Sequence, residues 1–152
     1  MESHELLLIA EDNPDDALLL RRALSQAGVK ARLKFVADGE EMLFYLQGAG
    51  AYSDRSRHPL PSAIIMDLKM PRKTGLEVLE WIAANPQVAV VPTVILSSSS
   101  MPEDVRKAYR LGANTYFVKP TTYDELVSTM ETLQKYWVSA ARLSPHTKTE
   151  AE

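Results

Sequence analysis

The stretch Ala63-Ile64-Ile65-Met66-Asp67-Leu68-Lys69-Met70-Pro71 decides the fold. Its first four residues are apolar at every successive position, so both faces of the strand are buried, as in parallel sheets covered by helices on two sides. Asp67 then emerges at the carboxyl end, the edge at which open α/β sheets bind ligands. Taken alone, Asp67 is equally a turn residue leading into the helix that begins near Gly75.

Other apolar runs end in the same way. Glu5 to Ala10 leads into Glu11-Asp12, Val90 to Leu96 into Ser97-Ser98-Ser99-Ser100, and Thr115 to Val118 into Lys119-Pro120. Four strands thus finish in an acid pair, an acid, a hydroxyl and an amine. A fifth, Arg32 to Ala37, alternates apolar and polar residues and belongs nearer a sheet edge. Pro92 is expected at the first position of its strand, because proline cannot donate a ladder hydrogen bond.

Helical patterns separate these runs. Pro14 with Asp15 and Asp16 starts the first helix, which carries Leu18, Leu19, Arg22, Ala23 and Gln26 in helical spacing and stops at Gly28. Asp38-Gly39-Glu40-Glu41 opens a second helix with Met42, Leu43, Tyr45 and Leu46 inward. Thr74 to Glu77 opens a third, with Leu76, Leu79, Ile82 and Ala83 as its inner stripe and Pro86 as its end. A fourth runs from Met101-Pro102-Glu103-Asp104 through Val105, Ala108, Tyr109 and Leu111 to Gly112. Thr121 to Asp124 caps the last, with Leu126, Val127, Met130, Leu133 and Trp137 on one face. Five strands alternating with five helices predict a doubly wound parallel α/β sheet of the flavodoxin-like kind, strand order 2-1-3-4-5, with right-handed crossovers.

Composition narrows the function. A chain of 152 residues suits one domain, expected over 1–143, with a polar, disordered tail over 144–152. Cysteine is absent, which removes disulfide scaffolds and thiolate metal clusters. A net charge of −3 offers no cationic surface for nucleic acid. No apolar run approaches the roughly 20 residues that cross a bilayer, and the start lacks a signal peptide's basic flank, so a soluble cytoplasmic protein is expected. The segment Gln47 to Pro61 is long for a connection in an α/β unit. It reads as a tolerated surface insertion or, through Arg55, Arg57 and His58, as a basic loop that meets a partner.

Glu11, Asp12 and Asp67 bring three negative charges to one crevice, which is costly without a cation. A hard divalent ion such as Mg2+ fits, since it takes a few carboxylates together with water and phosphate oxygens. Lys119 is either a solvated surface lysine or an ammonium turned inward beside Asp67, and the latter balances the remaining charge. Ser97 offers the first hydroxyl at the neighbouring strand end. Such a set suits phosphoryl transfer, which needs alignment and neutralisation, with Asp67 as the nucleophile.

Glu11-Asp12, Asp67 followed by Met70-Pro71 and Gly75, Ser97, and Lys119-Pro120 together resemble the response-regulator receiver domain of two-component signalling, over about Leu6 to Leu133. The resemblance implies a non-enzymatic signalling protein in which Asp67 accepts a phosphoryl group from a sensor histidine kinase and which assists its own phosphorylation and dephosphorylation. It further implies that Glu11, Asp12, Asp67 and the backbone carbonyl of Lys69 hold Mg2+, that Lys119 and Ser97 bind phosphoryl oxygens, and that Tyr116 is a rotamer switch. On the same basis Lys119–Pro120 is expected to be cis, and the surface of the fourth helix, fifth strand and fifth helix to change on phosphorylation. Three departures stand out: Glu-Asp where many members have two aspartates, Ser98 where alanine is frequent, and a chain end soon after the fifth helix, so that output is expected to pass through a partner or a dimer.

The Asn13-Pro14-Asp15-Asp16 run, the long loop and the extended last helix are similar to stand-alone regulators paired with phytochrome-type photoreceptor kinases. Tyr136, Trp137, Ala140 and Leu143 extend apolar character along the last helix and suggest a homodimer through it. Two other functions compete. An Mg2+-dependent phosphatase with an aspartyl nucleophile wants a second aspartate two residues on, where this chain has Lys69. An interaction module without phosphorylation needs none of the five polar residues at the strand ends.

Overall fold

The computed structural model describes the backbone over residues 5–143 and side chains as far as residue 135. In chain order it contains β1 (Leu6–Ala10), α1 (Pro14–Gln26), β2 (Arg32–Val36), α2 (Gly39–Gln47), β3 (Ala63–Met66), α3 (Gly75–Ala83), α4 (Pro86–Ala89), β4 (Thr93–Ser97), α5 (Pro102–Arg110), β5 (Thr115–Val118) and α6 (Tyr123–Leu143). The five strands form one sheet, every pair parallel, in the order β2-β1-β3-β4-β5. The expected doubly wound topology is therefore the one observed.

Burial follows from that order. Every residue of β1, β3 and β4 is buried, because helices cover both faces of these central strands, while β2 and β5 at the two edges are only partly covered. One core layer joins Leu6, Leu8, Ile64, Met66 and Ile95 to Met42, Leu46, Val78, Leu79 and Ala108 of α2, α3 and α5. The other joins Leu7, Ile9, Ile65 and Val94 to Leu20, Leu24, Met130 and Leu133 of α1 and α6. Alternate residues of each central strand thus feed opposite layers, the period-two geometry of an extended chain. Among the described residues no helix is long and apolar enough to cross a membrane.

Several helices differ from expectation in phase or start. In α1 the buried residues are Leu20, Ala23 and Leu24, whereas Leu18 and Leu19 are 46% and 43% exposed. Three successive leucines satisfy two helical phases, and the cap selects between them: Asn13 Oδ1 accepts from Asp15 N at 2.8 Å and Asp16 N at 3.1 Å. Asn13, and not the pair Asp15 and Asp16, is the capping residue; the two acids sit in the first turn, where they face the positive end of the helix dipole. In α3 the buried face is Gly75, Val78, Leu79 and Ile82, with Leu76 half-buried and Ala83 exposed.

Pro86 does not terminate α3, which stops at Ala83, but opens α4, a sixth helix of a single turn. Proline is at home there because the first helical N–H has no intrahelical acceptor to lose. Val90 and Val91 consequently lie outside β4, and Pro92 precedes the strand and contributes only its carbonyl, which accepts from Ile64 N at 2.9 Å. The expected fourth and fifth helices are α5 and α6. The side chains of Tyr136, Trp137, Ala140 and Leu143, on which the expected dimer rests, lie outside the described residues, as does 144–152.

The long connection after α2 is tied down. Gly48, at φ 68°, ends the helix, and the guanidinium of Arg55 donates to the carbonyls of Tyr45 (2.8 Å), Leu46 (2.6 Å) and His58 (3.0 Å). Arg55 is therefore spent on the negative end of α2 and is not offered to a partner. Tyr52 packs its ring against Tyr45 and His58 and donates to Glu41 Oε2 at 2.6 Å. Replacing Arg55 with Met leaves three carbonyls without this charged donor, so the expected loss of stability is about 2 kcal/mol. Denaturant unfolding checks this: a lower midpoint at unchanged slope is the expected result, and an unmoved midpoint shows the contacts to be dispensable.

Candidate functional site

Four strand ends meet at one rim of the sheet. Asp67 follows β3 and is held from below by its own turn, its Oδ1 accepting from Lys69 N at 3.1 Å. Lys119 follows β5. Its backbone N–H donates to Ser97 O at 2.7 Å, which locks the end of β5 to β4, and its ammonium turns inward to Asp67 Oδ2 at 3.0 Å and Glu11 Oε1 at 3.5 Å. Glu11 follows β1 and is fixed in turn by Asn13 N, which donates to Oε2 at 3.2 Å. The side chains of Glu11, Asp67 and Lys119 are 10%, 16% and 30% exposed, so the cluster is sheltered but open to the rim.

The remaining expected residues stand around this core in different ways. Asp12 is exposed beside Glu11. Among the described residues no three Asp, Glu or His side chains converge closely enough to hold a metal ion by themselves. Ser97 is wholly buried at the end of β4, and its Oγ accepts from Ser99 N at 3.2 Å. Tyr116 is turned inward, with its hydroxyl donating to Ser99 O at 2.7 Å and its backbone N–H donating to Tyr109 Oη at 3.1 Å. Lys119–Pro120 is trans, contrary to expectation, since the described residues contain no cis peptide. Trans is the lower-energy isomer by about 0.5–1 kcal/mol, and the Lys119 ammonium reaches both carboxylates with it.

Of three further contributors, two escape a reading of residue types. Gly75 donates to Leu68 O at 2.8 Å, and a Cβ on it would lie 2.4 Å from Asp67 O. A Cβ on Gly39, at the start of α2, would lie 2.0 Å from Lys73 O. Arg72, in the loop after Asp67, donates through Nε to Asp38 Oδ2 at 3.0 Å. Only the placement of Gly75 after Asp67 left a trace in the sequence.

Electrostatics match the geometry. Burial pushes the Glu11 carboxyl up from 4.5, against the opposing pull of the Asn13 N–H and of Lys119. Burial pulls Lys119 down, but its bond and charge interaction with Asp67, followed by those with Glu11, outweigh it and leave the ammonium above 10.5. The signs give two pH windows. Folding favours protonated Glu11, so stability falls as pH rises from 4.5 through the folded value. The Lys119 contribution is complete below 10.5 and is lost as pH rises through the higher folded value. Lys119→Met should drive Glu11 further up, as read by NMR titration of its carboxyl carbon; an unmoved Glu11 would show that the pair does not form in solution.

Residues 7–131 match the response regulator receiver domain family. The chain belongs to the response-regulator receiver family. Response regulator Rcp1 of Synechocystis sp. is 30% identical over 139 residues, 91% of this receiver chain and 92% of Rcp1. Among solved structures, response regulator RPA3017 in red light signaling of R. palustris superposes with a TM-score of 0.84 at 32% identity, covering 90% of this receiver and 95% of that chain. The phosphorylated cyanobacterial phytochrome response regulator RcpA superposes at 0.81 with 33% identity, covering 90% and 96%. The Mn2+-bound form of Rcp1 superposes at 0.78 with 30% identity, covering 88% and 94%. Phytochrome response regulators are thus among the receivers this chain is similar to.

Proposed function

We propose that the receiver is a phosphorylation switch in which Asp67 takes a phosphoryl group from the phosphohistidine of a sensor histidine kinase, one of the phytochrome type. The observation that carries this reading is the ammonium of Lys119 at 3.0 Å from a carboxylate delivered by another strand. In the transfer an Asp67 oxygen forms the new bond to phosphorus, the N–P bond of the donor breaks, and the released imidazole keeps the electron pair. Lys119 faces the oxygens of the moving group, and no general base is needed because a carboxylate attacks without giving up a proton.

The donor set suits a hard divalent cation. It is oxygen only, and burial leaves the Glu11 charge undercompensated even with Lys119 present. Glu11, Asp12, Asp67 and the Lys69 carbonyl would hold Mg2+, with water supplying the positions that the side chains do not reach. When bound, such a cation would supply positive charge to the phosphoryl oxygens. The Mn2+ in the Rcp1 structure supports this assignment.

An acyl phosphate carries about one more negative charge than the carboxylate and adds acceptor oxygens. Ser97 moves toward them, and the Ser99–Tyr116 contact is the element that responds. Its readout is the face of α5, β5 and α6, where Met101, Tyr109 and Val118 are 54%, 47% and 49% exposed. A second copy pairing through α6, or another protein, takes up that face. Mixing the protein with Mg2+ and a small phosphoryl donor should add the mass of one phosphoryl group per chain; an unchanged intact mass rejects the reading.

A further inference from the structure

Arg72 stands in a backbone conformation that its side chain disfavours. Its φ of 69° makes it the one non-glycine residue in the left-handed region among the described residues, a placement costing roughly 1–2 kcal/mol. The residue is held from outside its own loop. Its Nε donates at 3.0 Å to Oδ2 of Asp38, 34 positions earlier, while Oδ1 of the same carboxylate accepts from Glu41 N at 2.8 Å and caps α2.

A second contact flanks the first. Gly39 presses its Cα face on the carbonyl of Lys73, so closely that a Cβ would meet that oxygen at 2.0 Å. The segment pinned at residues 72 and 73 begins where Lys69 N donates to Asp67 Oδ1 and closes where Gly75 abuts the Asp67 carbonyl. Both the reactive carboxylate and the Lys69 carbonyl therefore hang from a loop whose far side is fixed to α2.

Stability does not account for the bond. Asp38 is sheltered at 15% exposure, but the Arg72 side chain is 65% exposed and its charge is screened by solvent, so the pair contributes about 1 kcal/mol or less, no more than the left-handed backbone costs. Placement of the loop does account for it. We infer that Arg72 is a positioning residue of the phosphoacceptor site: through Asp38 it fixes residues 69–74 against α2 and so sets where the Lys69 carbonyl and the Asp67 carboxylate meet a divalent cation. The inference rests on the reading of Asp67 given above.

The test is a titration of the full chain with Mn2+ alone, following the free ion by electron paramagnetic resonance, for wild type, Arg72→Gln, Arg72→Gly, Asp38→Asn and the double variant Asp38→Asn/Arg72→Gln. Glycine removes the strain without supplying a guanidinium, and the amide introduced by Asp38→Asn retains an oxygen for the α2 cap. Each single change should weaken Mn2+ binding about tenfold, as loss of a supporting contact behind a metal ligand does. The double variant should be no weaker than either single one, because both remove one interaction. Melting temperatures without metal should not separate Arg72→Gly from wild type. Wild-type affinity in both Arg72 variants, or additive losses in the double one, overturns the inference while leaving a wild type that still takes the phosphoryl label. A wild type that neither binds Mn2+ nor accepts the label removes the phosphoacceptor reading and this inference with it.

Discussion

Asp67→Asn receives no phosphoryl group from a small donor or from a kinase, under conditions in which the wild type is labelled. The substitution is close to isosteric: the amide carbonyl oxygen of the variant side chain would still accept from Lys69 N, which holds Asp67 at 3.1 Å, and the packing of β3 is unaltered. What disappears is the anionic oxygen. An amide oxygen is a poor nucleophile toward phosphorus, and no neighbouring group replaces it, since Glu11 is bound to Asn13 and Lys119. Labelling should drop to background with the fold intact, as checked by intact mass and by circular dichroism on the same sample. Labelling of the variant at the wild-type level would place the phosphoacceptor elsewhere.

Gly39→Ala is destabilised by about 3 kcal/mol. Alanine is ordinarily the better residue inside a helix by about 1 kcal/mol, so the sign has to be decided by space. The added methyl would meet Lys73 O at 2.0 Å and the Lys73 carbonyl carbon at 2.7 Å. Both are backbone atoms and no rotamer change relieves them; either α2 or the loop after Asp67 must shift. Gly75→Ala behaves likewise, with its methyl 2.4 Å from Asp67 O and 2.8 Å from Leu68 Cα, and it adds a displacement of Asp67 itself. Denaturant unfolding measures both losses. A Gly39→Ala protein as stable as wild type would mean that α2 and the loop are not in contact in solution.

The topology was legible because burial on both faces leaves a mark: β1, β3 and β4 are apolar at nearly every position, and the candidate site residues stand where that pattern stops. What was illegible has specific causes. Arg55 looked available because its acceptors are backbone carbonyls, which no residue type announces. Leu18-Leu19-Leu20 fits two helical phases, and only the Asn13 cap distinguishes them. Pro86 stops helices and starts them with equal facility, so the turn Pro86–Ala89 was hidden behind a correct statement about proline. Arg72 gave no sign of a left-handed backbone because such positions are usually betrayed by glycine or asparagine.

The ammonium of Lys119, bracketed by Asp67 and Glu11, acts as a resident counter-ion. The repulsion between the acids at the rim is therefore partly offset by a charge that belongs to the chain itself. On the proposed reading, chelators should block labelling by a small phosphoryl donor while circular dichroism still shows a folded protein.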